Sequence, residues 1–380
     1  MRLLISAGEA SGEMYGAQLV EALRRRVPSL VCFGVGGECM QAAGCELIVQ
    51  SKDLAVVGIT EILPRLPKIY GEFRKLVRAI DERKPQAAVL IDSPAFHFKV
   101  ARELHRRGIP VIYYVAPQLW AWRSGRVRLV RRYFKKALVI FPFEEQWYRE
   151  RGVDAEFVGH PLADVEDPPA SREEFLKKEA LDSNKPIIAL LPGSRRKEVW
   201  MNLRQMLRAA DILGCDYQYL LPVASTLDPL WVGTVVDKVH PDHDFDLSFT
   251  EDTRAALAHA RAAVVASGTA TVEAAMMGTP MVVVYRVSPL TWALGRPLVH
   301  VKNFAMVNLI AAEQIVPELI QGNFTAENVA AKLREILPDG PAREKMERDL
   351  AHVRARLRSG DDPRSAAERA ADAVLRSLAR

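Results

Sequence analysis

Cysteine is scarce in this chain, with only Cys32, Cys39, Cys45 and Cys215 among 380 residues. No two form a C-x-x-C pair, so the spacing offers no zinc site, and reduced, buried thiols are the expectation. No apolar run approaches the ~20 residues that a membrane span needs, so any membrane contact is expected to be peripheral. The start lacks the pattern of a signal peptide: Met1 to Ala7 is one short apolar run that meets Gly8 and Glu9 and reads as a first strand, which favours a cytoplasmic protein. The dinucleotide fingerprint G-x-G-x-x-G is missing after that strand. Gly34-Val35-Gly36-Gly37 comes one unit too late to replace it, which disfavours a nicotinamide dehydrogenase. A large charge excess is missing too. Lys and Arg number 52 against 47 Asp and Glu, a net +5. That balance suits a phosphate-bearing partner without selecting nucleotide, nucleic acid or anionic lipid.

What is present is a repeated alternation of short apolar runs and helical patterns. Leu3–Ala7, Leu30–Val35, Ala87–Ile91, Val111–Val115, Leu138–Phe141 and Phe157-Val158 read as strands, most of them ending at Gly, Asp or Pro. Continuous apolar strands separated by helices indicate a parallel sheet covered on both faces. Residues 164–184 are polar, open with Asp167-Pro168-Pro169, and read as a linker. A second series follows: Ile187–Leu191, Tyr217–Val223, Asp246–Phe249, Ala262–Ala266 and Met281–Tyr285. The tail from Asn328 to Arg380 reads as helix. A chain this long exceeds one hydrophobic core, so two α/β domains are expected. The boundaries are 1–165 and 166–344, with helices from about 345 to 380 packing back on the first.

Ligands of open parallel sheets bind beyond the carboxyl ends of the strands, and facing domains add a cleft. The distinctive residues fall there. Ser6 to Glu13 follows the first strand: Gly8, Ser11 and Gly12 permit close backbone approach, while Glu9 and Glu13 add carboxylates. Capping by Ser11 is the plainer reading. In Leu191-Pro192-Gly193-Ser194-Arg195, glycine, a hydroxyl and a forked guanidinium suit phosphate, and Arg196 and Lys197 deepen the positive field. Ser267-Gly268-Thr269-Ala270-Thr271-Val272-Glu273 opens another helix, whose N–H groups suit a diphosphate while Glu273 suits ribose hydroxyls. A Ser/Thr cap with an imperfectly spaced capping-box glutamate is the alternative. Trp120-Ala121-Trp122 precedes Arg123, Arg126, Arg128, Arg131, Arg132, Lys135 and Lys136. That run fits an anionic membrane surface or a solvated helix face better than nucleic acid. Asp53 to Phe73 carries Leu54, Val56, Val57, Ile59, Ile62, Leu63, Leu66, Ile69 and Tyr70, interrupted by Pro64 and Pro67. It reads equally as a buried irregular helix or as an apolar patch for acyl chains.

Together these motifs resemble the lipid-A-disaccharide synthases, bacterial glycosyltransferases of the GT-B class with two Rossmann-like domains. The resemblance is carried by Ala7 to Gly12, Val35-Gly36-Gly37 with Met40, Val57 to Glu61, Tyr114 to Trp122, and Pro142-Phe143-Glu144. Gly159 to Asp164, Leu191 to Arg195, Ser267 to Glu273 and Asn308-Leu309-Ile310 continue it, in order, to about residue 320. It implies transfer from UDP-2,3-diacylglucosamine to the 6-hydroxyl of 2,3-diacylglucosamine 1-phosphate, with inversion and release of UDP. Neither a metal nor another cofactor is implied. The implied donor residues are Gly193, Ser194, Arg195, Ser267, Gly268, Thr269, Glu273 and Asn308. The implied acceptor residues are Gly8, Ser11, Gly12, Gln118 and Trp120. An anionic inner-membrane surface and a homodimer are the expected partners, and nucleic acid is not.

The family pattern Asp-x-Pro-Asp-Phe-Asn reads Asp92-Ser93-Pro94-Ala95-Phe96-His97 here. The second aspartate, which the resemblance would make the general base, is Ala95, and alanine accepts no proton. The expected catalytic set is therefore Asp92 or His97, with Glu13 where the family commonly has aspartate. Two other readings compete: another UDP-sugar enzyme, such as a UDP-N-acetylglucosamine 2-epimerase, and a UDP-sugar or glycolipid binder that has lost its base.

Overall fold

The computed structural model describes residues 1–54, 59–164, 171–241, 244–295, 303–358 and 362–379. The chain divides into two compact units, Met1–Asp164 with Leu357–Arg380, and Val165–Arg356. The first alternates β1 (Arg2–Ala7), α1 (Ala10–Arg26), β2 (Val31–Gly36), α2 (Glu38–Ala42), β3 (Cys45–Gln50), α3 (Ser51–Leu54) and α4 (Ile59–Arg83). It continues through β4 (Ala87–Ile91), α5 (Pro94–Arg106), β5 (Val111–Tyr114), α6 (Val127–Tyr133), β6 (Lys136–Val139), α7 (Pro142–Arg149) and β7 (Ala155–Phe157). Its sheet has the order β3-β2-β1-β4-β5-β6-β7, and every strand pair is parallel.

The second unit holds α8 (Arg172–Lys178), β8 (Ile187–Leu191), α9 (Arg196–Leu213), β9 (Gln218–Pro222), α10 (Pro229–Val239), β10 (Leu247–Thr250) and α11 (Thr253–His259). After these come β11 (Ala262–Ala266), α12 (Thr269–Met277), β12 (Met281–Tyr285), α13 (Pro289–Gly295), α14 (Met306–Ala311), β13 (Glu318–Ile320), α15 (Ala326–Ile336) and α16 (Pro341–Leu357). The order β10-β9-β8-β11-β12-β13 is again all parallel. Each unit thus has the doubly wound order of a Rossmann fold, reversing direction between β1 and β4 and between β8 and β11.

Burial explains the strands. Every residue of β4, β8 and β11 is buried, as parallel strands sandwiched by helices must be. On one face of the first sheet Leu4, Phe33, Val35, Leu90 and Tyr113 pack against Leu76 and Ile80 of α4, Val100 and Leu104 of α5 and Val130 of α6. Each such aliphatic side chain contributes roughly 1.5–3 kcal/mol by leaving water. The other face takes α1 and the last helix, α17 (Ala366–Leu378). The chain returns there after the second unit. Arg26 pairs with Asp372, Arg369 Nε donates to the Val158 carbonyl at 2.8 Å, and Lys135 Nζ donates to the Ser377 carbonyl at 2.7 Å. The return begins at Leu357, and α16 up to Arg356 belongs with the second unit.

Four local readings change. β3 and β13 are strands that apolar runs do not announce, because β3 is a half-exposed edge strand and β13 has three residues. Within the polar 164–184 segment, Ser171 and Glu174 form a reciprocal capping box that starts α8. α4 runs on through Pro64 and Pro67, each of which forfeits one ladder bond while keeping a helical φ. Of the apolar 54–70 stretch, Val56 and Val57 lie outside the described residues, as does the Val57-Gly58 motif.

Candidate active site

Both reversal points carry the residues singled out from the sequence. In the first unit, the turn after β1 meets the turn after β4. A Cβ on Gly8 would stand 2.5 Å from Ser93 Oγ, so the contact requires glycine. One on Gly12 would reach ordinary contact with Asp92 Cβ, at 3.7 Å. The N-cap of α1 is Glu9, and no side chain caps it, so Ser11 is not the cap.

Asp92 and Ser93 both lie in the left-handed region, at φ +53° and +45°. Two consecutive non-glycine residues there are strained, and the surroundings hold them. The Asp92 N–H donates to the Tyr114 carbonyl at 3.1 Å. Its carbonyl accepts from Tyr113 Oη at 3.1 Å and from His97 Nδ1 at 2.6 Å. A carbonyl only accepts, so Nδ1 carries the ring proton and Nε2 is left to accept from Ser6 Oγ at 2.8 Å. The Asp92 side chain is half-buried.

The geometry removes His97 from the list of bases. It is fully buried, both ring nitrogens are engaged, and desolvation lowers its pKa to about 4. It positions the Asp92 backbone instead. Glu13 is also committed: its carboxylate accepts from the Cys39 N–H at 2.8 Å and lies where a Cβ on Gly37 would be, at 2.5 Å. It fastens α1 to the start of α2, which makes it a support of the turn. Ala95 is exposed in the first turn of α5.

Gln118 is exposed, whereas Trp120 is partly buried. Trp120 Nε1 donates to Glu144 Oε1 at 2.9 Å, and its ring meets Phe143 edge-on at 4.9 Å. Glu144 is fully buried, and its second oxygen accepts from the Phe141 N–H at 3.2 Å. Burial pushes its pKa up to about 8 against the pull of those N–H donors. Sequence reading gave Glu144 a place in a motif but no task. The structure gives it one, anchoring the Pro117–Trp122 loop to α7.

In the second unit, Gly193 takes φ +125° and the Pro192 carbonyl accepts from buried Asn202 Nδ2 at 2.8 Å. The exposed residues Ser194 and Arg195 follow. The Ser194 N–H donates to Glu198 Oε2 at 3.1 Å, and Arg195 Nη1 donates to Glu198 Oε1 at 2.9 Å. Glu198 was missed in the sequence. Its signal was its position in the first turn of α9, where a carboxylate favours the positive helix end.

Beside this turn Gly268 is the N-cap of α12, and no side chain caps it. The Ser/Thr cap is therefore absent: Thr271 Oγ1 donates to the Gly268 carbonyl at 2.8 Å instead. Thr269 is exposed, and Glu273, one turn inside, has its pKa raised by burial, with Arg254 opposing. Ser267 Oγ donates to the Phe304 carbonyl at 2.8 Å.

Asn308 does not offer its amide to a ligand. Its Nδ2 donates to the Val316 carbonyl and to Glu318, at 3.0 and 2.7 Å, while Oδ1 accepts from the N–H groups of Ile315 and Val316. Both donors and both acceptor sites are used. Glu318 also holds the N–H groups of Phe304 and Ala305. Asn308 therefore braces the segment that receives Ser267.

No group of three or more potential metal ligands occurs among the described residues, and none of their helices is long and apolar enough to cross a membrane.

Two doubly wound parallel sheets, one in each unit, are the architecture of the GT-B fold class. The calicheamicin glycosyltransferase CalG4 shares this fold, with a TM-score of 0.60 at 20% identity over 100% of this chain and 98% of its own. The S. aureus MnaA–UDP co-structure does too, with a TM-score of 0.65 at 14% identity over 100% and 97%. The profile of the lipid-A-disaccharide synthetase family matches residues 3–374, and the chain belongs to that family. The lipid-A-disaccharide synthase of Koribacter versatilis is 57% identical over 99% of this chain and 98% of its own length. That of Acidobacterium capsulatum is 50% identical over 93% and 91%.

Proposed function

We propose that this glycosyltransferase joins UDP-2,3-diacylglucosamine to 2,3-diacylglucosamine 1-phosphate through a β-1′,6 linkage and releases UDP. The observation that carries the donor site is the Ser194–Arg195 turn. Its N–H and guanidinium already converge on an oxyanion, the Glu198 carboxylate, at 3.1 and 2.9 Å. A diphosphate presents the same chemistry with more charge. The uncapped N-terminus of α12 supplies further N–H donors, and Glu273 is the candidate for the ribose hydroxyls.

The first unit binds the acceptor beside Gly8, Ser11 and Gly12, with Gln118 and Trp120 at the edge. Asp92 removes the proton of the 6-hydroxyl as that oxygen attacks the anomeric carbon. The bond to the diphosphate breaks on the opposite side, and Arg195 and the backbone N–H groups stabilise the departing charge. Such donors act without reorganising because the turn is already built.

From the acylated substrates of this reaction we infer work at the cytoplasmic face of the inner membrane. Exposed Trp122, with the Arg123 guanidinium 4.5 Å over its ring, and exposed Arg128, Arg131 and Arg132 suit anionic headgroups. Lys135 and Lys136 are otherwise occupied, by the Ser377 carbonyl and Glu156.

The test is disaccharide and UDP formation from both acylated substrates by the wild type beside Ala95→Asp and Asp92→Asn. Wild-type turnover that Asp92→Asn abolishes is the expected result. Turnover in Ala95→Asp alone would mean that the chain binds these substrates without a base. Silence from all three, with a control enzyme active on the same substrates, would overturn the substrate assignment.

A further inference from the structure

Two of the four cysteines are neighbours in space. β2 and β3 run parallel with Cys32 directly opposite Cys45. Side chains paired in register point to the same face of a sheet, and adjacent strands lie about 4.8 Å apart. That spacing falls inside the roughly 4.4–6.8 Å over which two Cα atoms can be bridged by a disulfide. Both thiols are reduced and buried, at 3% and 2% exposure.

The surroundings favour chemistry at Cys32. Arg24 of α1 lies across the start of β3, donating to the carbonyls of Ala43 and Gly44 at 3.2 and 3.3 Å. The Cys32 thiol donates to the same Gly44 carbonyl at 3.6 Å. The guanidinium sits where a Cβ on Gly44 would be, at 1.5 Å, and Gly44 has φ +93°, so this position admits only glycine if the arginine is to lie there. Cys32 has its pKa lowered by the Cys45 hydrogen bond and then by the Arg24 charge, against desolvation, while that of Cys45 is raised. Cys32 is thus the thiol of the pair that gives up its proton more readily, and Cys45 keeps its own beside it.

We propose that Cys32 and Cys45 form a dithiol oxidation site that closes to a reversible intrachain disulfide under a hydroperoxide. The Cys32 thiolate attacks hydrogen peroxide, its sulfur takes one oxygen as a sulfenic acid, and the other oxygen leaves as hydroxide, which takes up the proton lost by the thiol to become water. Cys45 then attacks that sulfur, a second water departs with its proton, and the S–S bond forms. Two thiols lose two electrons, and the peroxide gains them. The bridge ties both ends of the segment that includes Gly37 and Cys39, to which Glu13 is fastened.

The test uses the full chain with Cys39→Ser and Cys215→Ser, which leaves this pair as its only thiols. Hydrogen peroxide is added, and free thiols and intact mass are read after denaturation. The expected result is loss of both thiols together, a mass lower by about 2 Da, and recovery of both with dithiothreitol. Adding Arg24→Met is expected to slow the loss by roughly tenfold near neutral pH, as a rise of one pKa unit would. Non-reducing peptide maps of the oxidised wild type, expected to show Cys32 joined to Cys45, guard against misfolding of the variant. Three results would overturn the assignment: oxygen adducts on either cysteine without a link, a covalent dimer, or intact thiols at a peroxide dose that oxidises wild-type Cys39.

Discussion

The two units repeat one strand order yet furnish their reversal points in opposite ways. The first is built from neutral, enclosed groups: Ser6, His97 and Tyr113 hold a strained Asp92–Ser93 backbone from below. The second is built from charge at the surface, with Arg195 and Glu198 paired over an exposed turn. A group that must take one proton in a fixed direction needs a rigid frame. A group that must receive and release a diphosphate needs charge that water can reach. In the proposed reaction the same topology serves both, because the turns and not the strands carry the difference.

Exchanging single groups breaks the contrast at its strongest points. Asp92→Asn keeps the shape and removes the proposed base, so kcat is expected to fall roughly 10²–10⁴-fold with little change in UDP affinity, read by steady-state kinetics and UDP titration. Arg195→Met is expected to lower kcat/KM for the donor by roughly 10²–10³-fold and to weaken UDP itself. If both variants lost UDP affinity equally, the division of labour would be wrong.

The next effect is on stability. His97 and His160 are buried neutral, with pKa values lowered to about 4 and about 3. The unfolded chain binds those protons near pH 6.5, before the folded one does, so each histidine's contribution is complete above that pH and is lost as pH falls towards its folded value. Down at pH 4 each removes about 3 kcal/mol from the first unit, which carries both. Urea midpoints measured from pH 7 to pH 4 should fall, and His160→Gln should flatten the slope. Equal acid sensitivity in a variant lacking the histidine would discard this account. Smallest is Glu198→Gln. It removes the resident carboxylate from the donor turn, and a change of a few-fold in donor KM is expected. A fall in KM would mean that Glu198 competes with the diphosphate, and a rise that it orients Arg195.

Much of this was legible in the sequence, because strand ends carry their signals locally. A buried run followed by Gly-Glu-Ala-Ser-Gly or Pro-Gly-Ser-Arg declares both a strand and the turn beyond it. The doubly wound class followed from that alternation, and the family from the turns. What the sequence hid depends on partners far along the chain. His97 looks like a base until Ser6, 91 residues away, closes over it. Asn308 looks like a ligand contact until Val316 and Glu318 consume its amide. β3 was invisible because an edge strand keeps polar residues among its apolar ones. Glu144 and Glu198 resemble ordinary helix-start glutamates, and only burial in one and Arg195 beside the other set them apart.

The return of the last helix to the first unit has a consequence for how the protein is made. The second unit, Val165–Arg356, is in effect a guest inserted into a host whose final piece is Leu357–Arg380. The host's opening 164 residues leave the ribosome first, but α1 meets α17 only after the guest has been synthesised. The host therefore completes itself last, and a nascent chain halted near residue 356 would hold a finished guest on an unfinished host.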